Sequence, residues 1–298
     1  MAKSLEKKTA LWGWIFVTPA VLFFSVFSFY PIANALALSF FQKNLISLRK
    51  PVFVGLKNYV HIFSSPDFWN SVRATVIFTS GTFVALVFFS LILAVFLTMR
   101  PRGSRVLQLI YYTPAILSSV VAALIWQVIF EPRGIANQAV NFLLHTQGID
   151  MQWLSNSTML QIATMIVYFW KYIGYFTVLF ITGLDKIPVG IYEAARIDGA
   201  SRRQMFFCIT LPLLKPTTIL VSIMAMLQCL KTFSTQYLFT QAGSPLSPIN
   251  VITLNIYNTA MREYNVGRSS SMSVLLFICM LVLTVMQLKF SRSDDVSY

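Results

Sequence analysis

Long apolar stretches, separated by short polar segments, run through almost the whole chain. A membrane-spanning helix needs about 20 consecutive, mostly apolar residues. Six stretches meet that length, at residues 11–41, 74–99, 106–130, 153–184, 216–239 and 269–288. Backbone polar groups in lipid must be satisfied within their own segment, so each stretch is assigned as a helix. The pattern predicts an all-α integral membrane protein with six transmembrane helices in a single domain over residues 1–298.

The composition of the chain argues against a soluble globular domain. Hydrophobic residues make up 56% of the 298 residues and charged residues only 11%, whereas a soluble domain carries about 25% charged residues. The net charge of +13 would suit nucleic acid, but the basic residues form short clusters between apolar stretches. That arrangement is typical of basic loops on the cytoplasmic side of a membrane.

Cysteine and histidine are few and scattered along the chain. The cysteines are Cys208, Cys229 and Cys279, and the histidines are His61 and His145. Two cysteines lie in apolar stretches and one lies in a basic segment, so we expect no disulfide framework. Because no His/Cys cluster is present, we also expect no structural metal.

The N-terminus has features of both a signal peptide and a membrane span. Lys3, Lys7 and Lys8 precede an apolar run, and Ala33–Ala35 has the small-x-small form of a cleavage site. The run from Leu11 to Ile32 is longer than the roughly 7–15 residues of a signal core. We therefore interpret it as a retained first helix.

The distribution of lysine and arginine predicts the orientation. With the N-terminus inside, thirteen of these residues fall in inner segments and eight in outer segments. The segment from Arg100 to Arg105 places three arginines in one six-residue turn, although the first outer loop is itself basic. Basic residues accumulate in cytoplasmic loops. We expect a multi-pass protein of the bacterial inner membrane with both termini in the cytoplasm.

The cytoplasmic segment at residues 187–216, which we call the elbow, predicts two short helices joined at a glycine. Pro188 suits a first helical turn, and the next residues, Val189–Asp198, have a helical composition. Gly199 stands where a glycine commonly ends a helix.

The second arm of the elbow begins at a capping-box pattern, with Ser201 followed three residues later by Gln204. Arg202–Leu211 predicts a second helix that ends at Pro212. Two rigid helices that project from a membrane bundle are suited to a groove on a partner protein. From these residues alone, an ordinary structured loop is an equally good interpretation.

The elbow resembles the EAA loop of ATP-binding-cassette importer permeases. That signature reads Glu-Ala-Ala, three residues, glycine, nine residues, isoleucine, one residue and Leu-Pro. Every fixed position is matched here, by Glu193, Ala194, Ala195, Gly199, Ile209, Leu211 and Pro212. The surrounding residues 193–201 are similar to the carbohydrate branch of this family.

The resemblance extends over nearly the whole chain. It includes the first helix at Trp14–Phe40, the first outer loop at Phe53–Tyr59 and the third helix from Tyr112 to Trp126. Residues 236–245 and Tyr257 resemble the first permeases of maltose and glycerol-3-phosphate importers. Two features depart from the maltose subunit. Its large extra periplasmic domain and two additional N-terminal helices are missing, and the usual Gly-Gly-Gly-Pro is Ala-Gly-Ser-Pro at residues 242–245.

The resemblance implies a type I importer permease fold with cytoplasmic coupling helices. It also implies a complex with a second permease subunit, two ATPase subunits and an extracytoplasmic solute-binding protein. The chain would bind no cofactor and hold no catalytic residue, because ATP and magnesium would bind the ATPase subunits. In agreement, the sequence lacks a G-x-x-x-x-G-K-[ST] phosphate loop.

The residues that the resemblance assigns to ATPase coupling all lie in the elbow. Glu193 would be its charged contact and Gly199 its bend; a solvated helix charge is the alternative for Glu193. The full set is Glu193, Ala194, Ala195, Asp198, Gly199, Ile209, Leu211 and Pro212.

Two lysines, Lys171 and Lys231, are the only charges inside the predicted spans. Each costs about 2.5–3.5 kcal/mol at a helix centre, so both should face the bundle interior or water. We predict a substrate path that includes these lysines, polar neighbours that could bind sugar hydroxyls, and aromatic rings that could stack on sugar faces. Its candidate residues are Lys171, Gln228, Lys231, Thr232, Gln236, Trp170 and Tyr175. Around Lys231, the residues Gln228, Thr232 and Gln236 recur at roughly helical spacing, which predicts one polar stripe. The alternatives are that Lys171 snorkels or pairs with a carbonyl, and that the aromatic rings only pack.

Two other classes of function compete with an importer subunit. A secondary transporter or channel needs no ATPase, so co-purification with an ATPase would distinguish it. A membrane-embedded enzyme would need a catalytic cluster such as H-E-x-x-H or G-x-S-x-G, and the sequence has neither. The sequence does not select among sugars, oligosaccharides, polyols and glycerol phosphate as the solute.

Overall fold

The computed structural model describes residues 2–99, 103–146, 148 and 150–292, and these residues are mostly helical. The first helices are α1 (Ala2–Phe24), α2 (Tyr30–Leu38), α3 (Lys57–Ser64), α4 (Pro66–Thr98), α5 (Ser104–Ile116), α6 (Ser119–Ile129), α7 (Ile135–Leu143) and α8 (Ser157–Leu184). They continue with α9 (Val189–Ile197), α10 (Arg202–Gln204), α11 (Leu211–Leu213), α12 (Lys215–Leu230), α13 (Ser234–Gln241), α14 (Ile252–Met261) and α15 (Val266–Arg292). Wider π turns occupy Ser25–Phe29 and Met205–Thr210, and a 3₁₀ turn occupies Ser247–Ile249. Strands β1 (Phe41–Gln42) and β2 (Val52–Phe53) pair antiparallel.

Five helical segments of the described chain are long and apolar enough to cross a membrane. They are Trp12–Leu38, Pro66–Thr98, Ser157–Leu184, Lys215–Gln241 and Val266–Lys289. A sixth span is formed if the bent pair Val106–Ile116 and Ser119–Ile129 is counted as one. These segments overlap the six predicted stretches, and the observed helices extend several of them at their ends.

The third predicted span is not a continuous helix. The prediction of one helix over 106–130 was wrong in this respect, because α5 and α6 meet at an angle of 104°. Leu117 is extended, with φ −62° and ψ 142°, and the Ser118 hydroxyl then accepts a hydrogen bond from Val120 N–H at 3.3 Å. An N-cap of this kind starts a new helix in a new direction.

The fifth predicted span is also interrupted. Helix α12 ends at Leu230 and α13 begins at Ser234, so Lys231–Phe233 lies between two helices. The Thr253 hydroxyl donates a hydrogen bond to the Thr232 carbonyl, which the break leaves without a helical partner. The polar residues from Gln228 to Gln236 were predicted to form one stripe at helical spacing. That prediction was wrong, since the two ends of the stripe belong to different helices.

The chain divides into two compact units, and the prediction of one domain over residues 1–298 stays a prediction. The first unit comprises residues up to 65 and 256–277. In it, the Asn58 side chain donates to the carbonyls of Ser39 and Phe41 at 2.9 and 3.0 Å. The Ser271 hydroxyl also donates to the Ser39 carbonyl, at 2.9 Å. The apolar span Trp12–Leu38 has none of its residues buried.

The second unit, residues 66–255 and 278 onward, holds the principal core. Helices α4, α8 and α12 pack together around fully buried apolar side chains, including Leu86, Phe180 and Val221. Helices α5 and α8 approach so closely that their backbones touch at Gly174. A Cβ atom added at Gly174 would lie much closer than 3.0 Å to the Tyr111 carbonyl oxygen. Real Cβ atoms essentially never come that close to another heavy atom.

The predicted turn of three arginines falls mostly outside the described residues. Arg100 and Arg102 lie outside them, and the description resumes at Gly103, which has φ +82°. The cytoplasmic orientation of the termini therefore stays a prediction.

Candidate functional site

The first arm of the elbow has the predicted form. Helix α9 ends at Ile197, Asp198 is its C-cap, and Gly199 follows with φ +79°. The N–H groups of Gly199 and Ala200 donate back to the carbonyls of Arg196 and Ala195, at 3.1 and 2.9 Å. Glycine adopts a positive φ without the steric penalty that other residues pay. The glycine bend is confirmed.

The second arm begins at the predicted capping box. Gln204 N–H donates to the Ser201 hydroxyl at 3.3 Å, and Ser201 N–H donates to the Gln204 side chain at 2.8 Å. The predicted end of this arm at Pro212 was wrong, because α11 continues through Pro212 to Leu213. In the preceding π turn, Leu211 N–H bonds to the Phe206 carbonyl five residues back. This wider turn lets a proline without an N–H continue the helical path.

A side-chain hydrogen bond braces the two arms against each other. The Tyr192 hydroxyl, on α9, lies 3.0 Å from the Thr210 hydroxyl at the end of the π turn. Thr210 is buried and also donates to the Met205 carbonyl at 3.2 Å. Because this bond joins the arms on either side of Gly199, it restricts the angle between them.

The elbow presents a mostly exposed surface. Of the predicted coupling residues, Glu193, Ala194, Asp198, Gly199 and Pro212 are exposed, while Ala195, Ile209 and Leu211 are half-buried. Exposed apolar side chains accompany them, and Ile197, at 86% exposure, is the most open. Exposed apolar groups beside charged ones are typical of a protein-binding surface.

A cavity of about 110 Å³ lies where the two broken spans meet. We call it the lysine cavity. Its lining combines the start of α6, one face of α8 and the break between α12 and α13. The lining residues are Ser119, Tyr168, Lys171, Tyr172, Gln228, Lys231, Thr232, Phe233, Ser234 and Thr235.

Lys171 is buried and has a side-chain partner. Its Nζ donates to the Ser119 hydroxyl at 2.5 Å and lies 5.3 Å from the centre of the Tyr172 ring. A hydroxyl and the face of an aromatic ring both stabilise an ammonium group away from water. The structure thus places Lys171 inside the bundle. Its hydrogen-bond partner is a hydroxyl, whereas the alternative considered from the sequence was a carbonyl.

Lys231 is exposed and lines two adjoining cavities. The second, which we call the tyrosine cavity, has a volume of about 480 Å³. It shares Tyr172, Gln228 and Lys231 with the lysine cavity, and its remaining wall is mainly apolar and aromatic. Its other lining residues are Tyr112, Ala115, Ile116, Tyr175, Phe176, Met224 and Leu227. The shared residues give the two cavities one common wall.

Two predicted path residues lie outside both linings. Gln236 is fully buried, where its side-chain oxygen accepts from the Thr232 hydroxyl at 3.0 Å. Its amide nitrogen has no partner within the described residues. The Trp170 ring packs edge-on against Trp126 at 5.6 Å, which agrees with the packing alternative for this residue.

Among the lining residues that sequence reasoning missed are Tyr112, Ser119, Tyr168 and Tyr172. The sequence contained a signal for two of these residues, Tyr168 and Tyr172. Tyr168, Lys171, Tyr172 and Tyr175 recur at intervals of three and four residues, which places them on one face of a helix. Tyr168 also donates from its hydroxyl to the Gln228 carbonyl at 2.7 Å, joining α8 to the end of α12.

Comparisons with known proteins cover both the elbow and the residues that line the two cavities. Residues 86–293 match the protein family described as binding-protein-dependent transport system inner membrane component. The trehalose/maltose transport system permease protein MalF of Thermococcus litoralis is 30% identical over 295 residues, covering 98% of this chain and 97% of that protein. The arabinooligosaccharides transport system permease protein AraP of Halalkalibacterium halodurans is 30% identical over 290 residues, covering 95% of this chain and 89% of that protein.

A solved structure has the same fold. It is a chain of a bacterial alginate ABC transporter in complex with an alginate pentasaccharide-bound periplasmic protein. The two chains superpose with a TM-score of 0.80 at 18% sequence identity, over 100% of this chain and 99% of the other.

Proposed function

Because the chain belongs to the family of inner-membrane components of binding-protein-dependent transport systems, we propose that it is a membrane-spanning subunit of an ATP-driven importer. The imported solute is a sugar, an oligosaccharide or a related polyol. Relatives named for trehalose and maltose and for arabinooligosaccharides support this solute class. The chain spans the membrane several times and has the type I importer permease fold of the alginate transporter chain. In the proposed orientation, both termini and the elbow face the cytoplasm.

The chain works within a complex. Its partners are a second permease subunit, two ATPase subunits and an extracytoplasmic solute-binding protein. ATP and magnesium bind the ATPase subunits, and this chain binds no cofactor. A secondary transporter or a membrane-embedded enzyme is disfavoured by the family match over residues 86–293.

The elbow transmits closure of the ATPase subunits to the membrane helices. Its exposed residues Glu193 and Ile197 offer one charge and one apolar side chain to a partner groove. The brace between Tyr192 and Thr210 makes the two arms move together. Shifting a 1:99 mixture of two conformations to 99:1 takes about 5.5 kcal/mol of differential binding, so the linkage between the partner and the bundle must be stiff.

The lysine and tyrosine cavities form this chain's part of the solute path. The observation that carries this proposal is that the α5–α6 break and the α12–α13 break meet at one charged cavity. Transporters commonly place their solute sites near the bilayer midplane, where membrane helices are interrupted. Here Lys231 and Gln228 supply hydrogen-bond donors, and the tyrosine cavity supplies ring faces for a sugar.

We predict that Lys231→Met reduces solute uptake roughly tenfold or more while the complex still assembles. Lys231 is exposed to both cavities, and a hydrogen bond to a charged group contributes about 1.5–3 kcal/mol. Methionine keeps an unbranched apolar stem and removes only the charged donor. The measurement is uptake by membrane vesicles that contain equal amounts of the complex.

Lys57→Met is the matched control, because Lys57 is an exposed lysine on α3 and lines neither cavity. Uptake by this variant should equal that of the unmodified chain. If Lys231→Met also transports at the unmodified rate, Lys231 lies outside the solute path and the proposed path is wrong.

A further inference from the structure

A third cavity, of about 530 Å³, lies between the elbow and the ends of two membrane spans. We call it the elbow cavity. Its apolar wall includes Val95 near the end of α4, Leu184 at the end of α8, and Phe206 in the second arm. It shares no lining residue with the lysine and tyrosine cavities, so the solute path does not account for it.

In the proposed orientation, the elbow cavity would lie at the level of the cytoplasmic lipid headgroups, because two candidate spans end beside it. Helix α4 ends at Thr98 and α8 ends at Leu184, so the last turns of two spans form one side of the cavity. The opposite side comes from the polar elbow. One cavity therefore offers an apolar wall, to which the ends of two candidate spans contribute, and a polar rim beside it.

The rim of the elbow cavity is positively charged. Arg196 and Arg202 line it and are both exposed, and Asp185 is the acidic residue among the described lining residues. Lys186 and Arg203 are neighbours in the chain and add to the positive field. Arginine binds phosphate oxygens through two parallel N–H bonds, so a phosphate group suits this rim.

We propose that the elbow cavity binds an anionic phospholipid, with its phosphate between Arg196 and Arg202 and an acyl chain along Val95 and Leu184. Basic pockets between membrane helices at the cytoplasmic side recognise anionic headgroups in this way. A soluble phosphate would satisfy the arginines but would leave the apolar wall facing water. A bound lipid would link the elbow to α4 and α8 and so hold it at a fixed position below the membrane.

The test is lipid binding to the full chain in its complex, in neutral detergent, measured by native mass spectrometry. Phosphatidylglycerol should bind more tightly than phosphatidylcholine, and soluble glycerol phosphate should not displace it. The double variant R196Q/R202Q should bind phosphatidylglycerol about 25-fold more weakly, since each arginine near an anionic lipid strengthens binding by about fivefold. The control R133Q/R262Q, which removes two exposed arginines that do not line the cavity, should bind it normally.

Three outcomes would overturn the proposal. They are unchanged phosphatidylglycerol binding by R196Q/R202Q, equal binding of phosphatidylcholine, and displacement of the lipid by glycerol phosphate. If R196Q/R202Q does not assemble, photolabelling of the unmodified complex tests the lipid site instead. Phosphatidylglycerol with a photoreactive group in its acyl chain should then label residues 95–99 or 184–185, and labelling confined to other residues would also refute the site.

Discussion

Replacing Gly199 with proline should abolish solute uptake while leaving the chain inserted in the membrane. Gly199 has φ +79°, and its N–H donates to the Arg196 carbonyl. Proline fixes φ near −65° and has no N–H, so it removes both the bend and the hydrogen bond. The second arm would then leave α9 in a different direction, and the surface presented to the ATPase would be lost. The measurement is uptake alongside membrane insertion.

The chain offers a control glycine for this change in the first arm of the elbow. Gly190 is exposed, and a Cβ added there would meet nothing within 4 Å among the described residues. Gly190→Ala should therefore transport normally. Glu193→Lys should lower uptake by about 5- to 150-fold, the usual range of a coupling free energy, because it reverses the charge of the exposed contact. Normal uptake by Gly199→Pro would mean that the elbow does not couple.

Replacing Gly174 with alanine should have the largest effect on stability. The added Cβ would collide with the Tyr111 carbonyl oxygen, where the backbones of α5 and α8 touch. A backbone atom cannot rotate away as a side chain can, so the helices must separate. Overpacking of this kind costs about 1–3 kcal/mol. We expect a lower melting temperature of the complex and weaker transport, since Tyr172 and Tyr175 flank this position and line the tyrosine cavity.

Gly81→Ala tests whether the loss of stability is specific to the backbone contact between α5 and α8 at Gly174. Among the described residues, its added Cβ would meet only the Met165 side chain, with the sulfur at 3.0 Å. Methionine is flexible and can move, and alanine favours the helix more than glycine does. The melting temperature should therefore stay the same or rise. An equal loss of stability in both variants would show that the backbone contact at Gly174 is not the cause.

The elbow was the part of the fold most accessible from sequence. Its bend and its cap are set by short-range chemistry, namely a glycine at Gly199 and the reciprocal hydrogen bonds of Ser201 and Gln204. The end of the second arm was not accessible. Pro212 normally stops a helix, but the π turn before it removes the need for its N–H. The local residue pattern does not predict that wider turn.

The interruptions that create the lysine cavity were harder to predict. The α5–α6 break had a signal, because Pro114 is followed by Ser118, a good N-cap residue. The α12–α13 break had none, since residues 227–235 contain neither glycine nor proline. There the Thr253 hydroxyl, distant in sequence, satisfies the freed Thr232 carbonyl. A break that depends on such a tertiary hydrogen bond cannot be derived from its own segment.

The candidate solute path also contains residues that could be predicted from sequence and residues that could not. Charge in an apolar stretch was enough to find Lys171 and Lys231, because an unpartnered charge in lipid is costly. It was not enough to find Ser119, which binds Lys171 from another span. Gln236 was predicted from its polarity and its helical spacing to Gln228 and Thr232. It lies outside the cavity lining, where its side chain accepts a hydrogen bond from the Thr232 hydroxyl.

The most direct measurement is to identify what the elbow touches in the assembled transporter. A photoreactive cross-linker would be attached through Ala195→Cys in a chain whose exposed cysteines, Cys208 and Cys279, are replaced by serine. We predict that the cross-linked partner is an ATPase subunit and that the yield changes when ATP is added. Cross-linking only to a periplasmic protein would place the elbow on the other side of the membrane and contradict the proposed mechanism.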